Sequence, residues 1–391
     1  MPTVLVLSFS DLAGDPRVYR QLRFLAGCGR YRVIAAGLGD PDVAGVDFIS
    51  LRTRPNGLLR NMWAAACLGC GSYEWFYWQK SLVRRAWETL AGIRADVIVA
   101  NDLLTLPLAL RLARGARVLF DAHEYSPREL EDRFLWNLFV RPCQTALCRR
   151  HIPRVAAMTT VCDAIARAYH ELTGVLPAVL TNAPDYHALA PRRYHAAARP
   201  IQLIHHGFLY PSRRLENMIR MMDYTDGRFE LNLMLSGTDQ RYRRRLEAMA
   251  ARRPSIRFLP PVPMRSLPVF LNQFDMGVFL LEPVNFSYRF ALPNKLFEFI
   301  QARLGVAIGP SPEMARIVTA ASCGVVAPDF RPASLAACLN RLSERDINQF
   351  KDRSHAAAHA LSAHANEPIF LDLIERVLHA PAGATGVAEA A

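Results

Sequence analysis

Two kinds of block alternate along the chain. Short apolar runs read as buried strands: Thr3–Ser8, Tyr31–Gly37, Val46–Leu51, Ala95–Ala100, Arg117–Phe120, Met158–Val161 and Val179–Leu180 in the first half. Ile201–His205, Phe229–Leu235, Ile256–Leu259, Met276–Leu281, Val306–Ile308 and Cys323–Val326 follow in the second. Between them lie segments whose apolar residues recur at helical spacing, such as Val18–Ala26, where Val18, Leu22 and Leu25 share a face. Leu103–Arg114, Leu135–Val155, Ala164–Leu172, Tyr242–Ala251 and Met264–Asn272 repeat the pattern. Unbroken apolar strands alternating with amphipathic helices predict parallel sheets covered on both faces. The polar, proline-bounded stretch Pro191–Pro200 suits a linker. The expected organisation is an α/β chain of two doubly wound, Rossmann-like domains, 1–190 and 191–370, facing each other across a cleft. Residues 371–391 form a helix end and frayed tail.

The densest stretch is Ala291–Thr319, ALPNKLFEFIQARLGVAIGPSPEMARIVT. Asn294 is placed to cap a helix whose apolar stripe is Leu296, Phe297 and Ile300, and Gly305 stands where a left-handed C-terminal cap would sit. A strand, a Gly-Pro-Ser-Pro break and a second helix near Glu313 follow. Lys295 and Glu298 share a face of the first turn. The helix N-terminus favours an anion, Lys295 adds a charge, and a carboxylate beside them can accept from a ribose diol. Phosphate plus diol suggests a nucleotide; an ordinary surface Lys–Glu pair is the plain alternative.

At 391 residues the chain can bury two cores. It lacks an apolar run of about 18 residues, so a membrane span is not expected. MPTVLVLSFSD has no basic residue ahead of its apolar run and reads as a first strand rather than a signal peptide, which suggests a cytosolic chain. The eight cysteines are scattered; Cys67 and Cys70 have no second pair to complete a zinc site, and free, mostly buried thiols are expected. The net charge of +12 rests on arginine, because Lys80, Lys295 and Lys351 are the only lysines. Basic residues spread over helices, without a nucleic-acid module, favour an anionic small molecule and a membrane surface over nucleic acid.

Residues 52–88 interleave Trp63, Trp75, Phe76, Tyr77 and Trp78 with Arg52, Arg54, Arg60, Lys80, Arg84 and Arg85. Aromatic rings and arginine stems together suit an anionic headgroup boundary, whereas two core helices with wet arginine faces would give the same composition. The basic helix 135–155 extends that surface. The first loop, Ser10–Arg17, carries no G-x-G-x-x-G, so a dinucleotide fingerprint is unsupported, and Asp15 can be read as a helix cap. Asn101-Asp102 and Asp121-Ala122-His123-Glu124 follow strands, where side chains face the ligand crevice of an open α/β sheet.

These motifs resemble the GT-B-fold retaining glycosyltransferases of family 4 (glycosyltransferase group 1), over roughly residues 3–345. PNKLFEF, the small-residue turn and PEMARIV are similar to the C-terminal-domain signature; DPRV, NDLLTLP and DAHE resemble the N-terminal domain. The resemblance implies transfer of a sugar from a nucleoside diphosphate donor, UDP- or GDP-linked, to an acceptor hydroxyl with retention. It places His123 near the donor sugar and its phosphate, where a neutral imidazole would hydrogen-bond a hydroxyl or stabilise developing charge. Gly207 ends a strand, Arg213 grips the diphosphate with Lys295, Glu298 holds the ribose, and Ser311–Glu313 contact the sugar or phosphates. Protein charge replaces a metal at the leaving group, so no cofactor is implied. Two departures stand out: the first glutamate of the family's pair is Phe290, and a second phosphate-binding arginine is Phe208.

The expected acceptor is a lipid-linked or glycan intermediate of exopolysaccharide or cell-envelope synthesis, reached by a cytoplasmic protein resting on the inner face of the membrane. The alternative, raised by Phe290, is a catalytically inactive GT-B homologue acting as a partner or membrane-surface binding protein.

Overall fold

The computed structural model describes residues 1–52 and 58–380, with the side chains of residues 58–61 outside that description. The tail PAGATGVAEAA, Arg54 and the Arg60 side chain therefore lie outside the described residues. The chain forms two compact units.

The first unit holds residues up to Thr181, the segment Asn285–Ser287 and the chain from Asn366 on. Its strands are β1 (Thr3–Leu7), β2 (Arg32–Gly37), β3 (Val46–Ser50), β4 (Val97–Asn101), β5 (Arg117–Ala122), β6 (Ala157–Thr160) and β7 (Ala178–Val179). They make one parallel sheet in the order β3-β2-β1-β4-β5-β6-β7. β1 and β4 are almost wholly buried, as strands covered by helices on both faces must be. The order reverses between β1 and β4, so the ligand crevice of this sheet is expected beyond their carboxyl ends.

The second unit spans Asn182–Val284 and Tyr288–Ala365. Its strands are β8 (Ile201–Phe208), β9 (Phe229–Ser236), β10 (Ile256–Leu259), β11 (Met276–Phe279), β12 (Gly305–Ile308) and β13 (Gly324–Val326). They too run parallel, ordered β10-β9-β8-β11-β12-β13, with the reversal between β8 and β11. Leu203, Leu231, Leu233, Met276, Val278 and Ala307 line a core against Met218, Ile219, Leu246 and Leu339 from the covering helices.

Several local expectations change. The chain passes between units at Thr181–Asn182, whereas Pro191–Pro200 packs on the second unit: Tyr194 is buried, Arg193 pairs with Asp352 at 2.9 Å, and Ala196 N donates to Glu344. Helix Ala363–His379 belongs mostly to the first unit, where Phe370 packs on Phe24. Helix Asn294–Gln301 begins one residue earlier than a capping Asn294 would require, since Pro293 holds the extended N-cap conformation. Gly305 starts β12 instead of capping that helix. Arg303 makes the left-handed turn, φ 60°, because its buried guanidinium is held by the carbonyls of Gln301 and Leu189 and by His355 Nδ1.

Candidate functional site

In the second unit the sequence-predicted residues meet at the point where strand order reverses. The last residues of β8 include His205, His206 and Gly207 before Phe208 closes the strand, and β11 beside it carries Val278 and Phe279. Helix Asn294–Gln301 starts from Leu292 and Pro293 and buries Leu296, Phe297 and Ile300, which turns its first-turn Lys295 inward. Lys295 is only 5% exposed; its Nζ lies 4.0 Å from the Phe279 ring centroid and 3.4 Å from His205 Nε2. Gly207 has φ +139°, and a Cβ there would stand 2.9 Å from Lys295 Nζ and 3.4 Å from Arg213 Nη1. Two basic side chains thus converge on one bare stretch of backbone, an arrangement suited to a polyanion.

Arg213 comes from the turn Pro211–Arg213 rather than from a helix, which begins at Glu216; its guanidinium lies 5.3 Å from the Tyr210 ring centroid. Its neighbour Arg214 takes a left-handed conformation and pairs with Glu282, so the two arginines divide: one toward Gly207, one to a surface carboxylate. Phe208 and Tyr210 stack with ring centroids 5.8 Å apart, both about half exposed.

Glu298, 8% exposed, sits one helical turn after Lys295 with Oε2 3.3 Å from His206 Nε2. Burial, and secondly the Lys295 charge, push His206 down to about 3, so this contact is between a carboxylate and a neutral ring. Burial and then Arg213 hold Lys295 well below the ordinary lysine range, only partly offset by Glu298. Ser311 and Glu313 open helix Pro312–Ala321 at the carboxyl end of β12; Ser311 is fully buried with an Oγ that has no hydrogen-bond partner, and Glu313 Oε2 accepts from Arg316 at 3.0 Å. Sequence reasoning placed Lys295 here but missed His205 and His206. Their signal was two consecutive histidines closing an apolar strand directly before a glycine.

In the first unit, His123 follows β5 and meets Asn101 and Asp102 at the end of β4, the strand bordering the reversal. Its Nε2 is 3.1 Å from Asn101 Oδ1 and 3.5 Å from Asp121 Oδ2; its Nδ1 is 3.4 Å from Asp102 Oδ2. Asp102 reaches it from a left-handed residue, φ 64°, whose Oδ1 also accepts from His123 N at 3.3 Å. Burial alone would lower the His123 pKa, but Asp102 and Asp121 outweigh it and raise the ring to about 9. The two acids flanking the ring thus favour the imidazolium over the neutral imidazole that the sequence suggested, although burial also raises the Asp102 carboxyl. Asp15 is a helix cap, its Oδ1 accepting from Arg17 N and Val18 N at 3.1 and 3.2 Å.

The aromatic, basic stretch divides in the same unit. Tyr77 is fully buried, its hydroxyl donating to Leu104 O at 2.8 Å, and Trp78 packs edge-on against it. Arg111 lies over Trp78 and Trp87, 4.5 and 4.3 Å from their centroids. Trp63 and Trp75 remain exposed. All eight cysteines are free and five are buried. Among the described residues no helix is long and apolar enough to cross a membrane, and no group of three His, Cys, Asp or Glu could hold a metal ion.

No family model matches the chain, and no curated protein sequence does. Solved structures do. Anabaena HepE in complex with UDP and glucose superposes with a TM-score of 0.69 at 14% identity, over 96% of this chain and 100% of that one. Sucrose-phosphate synthase from Thermosynechococcus elongatus gives 0.74 at 15% identity, over 97% and 100%. The α,α-trehalose-phosphate synthase (UDP-forming) of Burkholderia vietnamiensis gives 0.67 at 14%, over 95% and 99%. These neighbours are GT-B glycosyltransferases, and the likeness establishes the fold: two Rossmann-like α/β domains.

Proposed function

We propose that the protein is a glycosyltransferase that moves a sugar from a nucleoside diphosphate donor to an acceptor hydroxyl with retention. The observation that carries this reading is the convergence of Arg213 and Lys295 beside Gly207, at the reversal between β8 and β11. A diphosphate leaving group develops charge as the glycosidic bond breaks, and basic side chains already held beside it stabilise it without reorganising. Arg213 and Lys295 take that role without a metal. Glu298 accepts from the ribose diol, and Ser311 and Glu313, at the start of their helix, contact the sugar or phosphates. His123, held between Asp102 and Asp121 in the first unit, is that unit's candidate for a sugar hydroxyl or phosphate oxygen. Neighbours crystallised with UDP and UDP-glucose support a nucleotide-sugar donor.

The acceptor we propose is lipid-linked or a growing glycan of the cell envelope, with the protein held peripherally on an anionic membrane surface. Exposed Trp63 and Trp75, with the arginines around them, support that placement. Thermal shift against a panel of nucleotides and nucleotide sugars tests the donor site. One diphosphate should stabilise the protein, and Arg213→Ala and Glu298→Ala should abolish the shift. No shift with any nucleotide would instead favour an inactive GT-B homologue.

A further inference from the structure

His205 is fully buried, and its Nδ1 lies 2.9 Å from the carbonyl oxygen of Val278 on β11. A carbonyl only accepts, so Nδ1 carries the ring proton and Nε2 presents its lone pair. Lys295 Nζ, 3.4 Å away, donates to that lone pair. The groups facing Lys295 are few. β8 supplies His205 and His206, β11 the apolar ring of Phe279, the turn before the next helix Arg213, and its own helix Glu298. Glu298 stands against His206 one turn further on, and its charge offsets only part of what burial and Arg213 impose on Lys295. Its hydrogen-bond partner is thus a neutral acceptor and its charged neighbour at Gly207 is another cation.

We propose that His205 is the positioning residue of this site: it holds Lys295 by accepting from its amine rather than by countercharge, so that a nucleotide's diphosphate and a proton bind together. A carboxylate partner would keep the ammonium charged whether or not an anion was present. A neutral imidazole accepts from amine and ammonium and brings no countercharge of its own, so the surroundings decide the balance. Burial and Arg213 disfavour the charged form, and an entering diphosphate supplies the countercharge. Lys295 then takes a proton from solvent as the anion enters. The sign follows from a pKa that is low in the free protein and higher in the complex. Affinity is flat below the free value, falls by up to about tenfold per pH unit between the two, and is flat again above. The proposal rests on the reading of this unit as the nucleotide-sugar site.

The chain's three lysines make the test direct. With ε-13C-labelled lysine, Lys80→Arg and Lys351→Arg assign the other two resonances, and the Lys295 signal should titrate well below the ordinary lysine value in the free protein. Saturating UDP-glucose or GDP-mannose, whose phosphates do not titrate near neutrality, should return it to the ammonium position. Calorimetry of the same ligands in two buffers of different ionisation enthalpy should show uptake approaching one proton. In Lys295→Arg, whose guanidinium stays charged with or without ligand, whatever binding remains should proceed without that uptake. His205→Leu should weaken binding and shift the pH profile of affinity; the wild-type titration stands even if that variant does not fold. A Lys295 resonance charged across the range in the free protein, or equal heats in the two buffers, would overturn the proposal alone. Failure of every nucleotide sugar to bind would overturn the functional reading and the proposal with it.

Discussion

Arg17 grips Asp121 from 104 residues away, with Nε 2.6 Å from Oδ2 and Nη2 2.6 Å from Oδ1. Both residues are buried, and Gln21 and Thr159 add hydrogen bonds of 2.6 Å to the same carboxylate. Arg17 Nη1 also donates to Leu180 O at 2.7 Å, so one pair ties the first helix to β5, β6 and the end of the unit. Burial by itself would raise the Asp121 carboxyl; Arg17 outweighs it and holds the group well below the usual carboxylate range.

Removing one partner strands the other charge in the interior. Asp121→Asn should cost about 3–5 kcal/mol in urea denaturation, and Arg17→Met a similar amount. The double variant Arg17→Met/Asp121→Asn should be much less destabilised than the sum of the single losses. Additive losses would mean that the pair does not act as a unit.

His123 adds a pH dependence of known sign. Its folded pKa, raised to about 9, exceeds the ordinary value of 6.5. Its contribution is fully present below about pH 6.5 and is lost as pH rises through about 9, with an upper size on the order of 3 kcal/mol. Stability measured by urea denaturation should decline over that interval in the wild type. His123→Gln should flatten the decline. An unchanged slope would place the charge elsewhere.

The sheets were legible because parallel strands buried on both faces leave unbroken apolar runs, and Val4–Leu7 or Val97–Ala100 can be little else. Lys295 was legible from its place in the first turn of an amphipathic helix. What escaped were properties set by residues distant in sequence. The charge of His123 depends on Asp102 and Asp121, and the partner of Lys295 is a histidine 90 residues earlier. Gly305 misled because a cap can be made by any residue held firmly enough, and here buried Arg303 takes the left-handed turn. The aromatic run 75–78 misled in part, because composition cannot separate buried Tyr77 from exposed Trp75.

Gly207 offers the sharpest steric test of the donor site. Alanine there would bring a Cβ to 2.9 Å of Lys295 Nζ in a backbone conformation, φ +139°, that only glycine adopts readily. Strain of about 1–3 kcal/mol and a displaced Lys295 should follow. Nucleotide-sugar affinity should drop by about tenfold or more, a loss of about 1.4 kcal/mol, measured by calorimetry. Unaltered affinity would mean that the ligand does not approach this backbone.

The first unit carries an exposed face of apolar tips. Phe134, Leu135 and Leu138 are 78%, 67% and 54% exposed, beside or within the helical turn Trp136–Val140. The helix Leu58–Gly69 runs against that turn and exposes Met62 and Trp63, while Trp75 is exposed on the helix Tyr73–Gln79. Arg141, Arg149 and Arg150 stand exposed on the helix that follows. Apolar tips bordered by arginines match a bilayer with anionic headgroups, the tips entering the acyl boundary and each arginine adding about 1 kcal/mol at low salt. Sedimentation should show binding to phosphatidylglycerol vesicles, weaker binding to phosphatidylcholine vesicles, and release as salt rises. Phe134→Ser/Leu138→Ser, which removes two half-buried insertions of about 1 kcal/mol each, should lower partitioning by about tenfold or more. Arg149→Gln/Arg150→Gln should reduce the salt dependence while leaving the weaker phosphatidylcholine binding as it was. Wild-type protein that stayed in the supernatant with anionic vesicles would remove the membrane from the proposed function and leave this face to a protein partner.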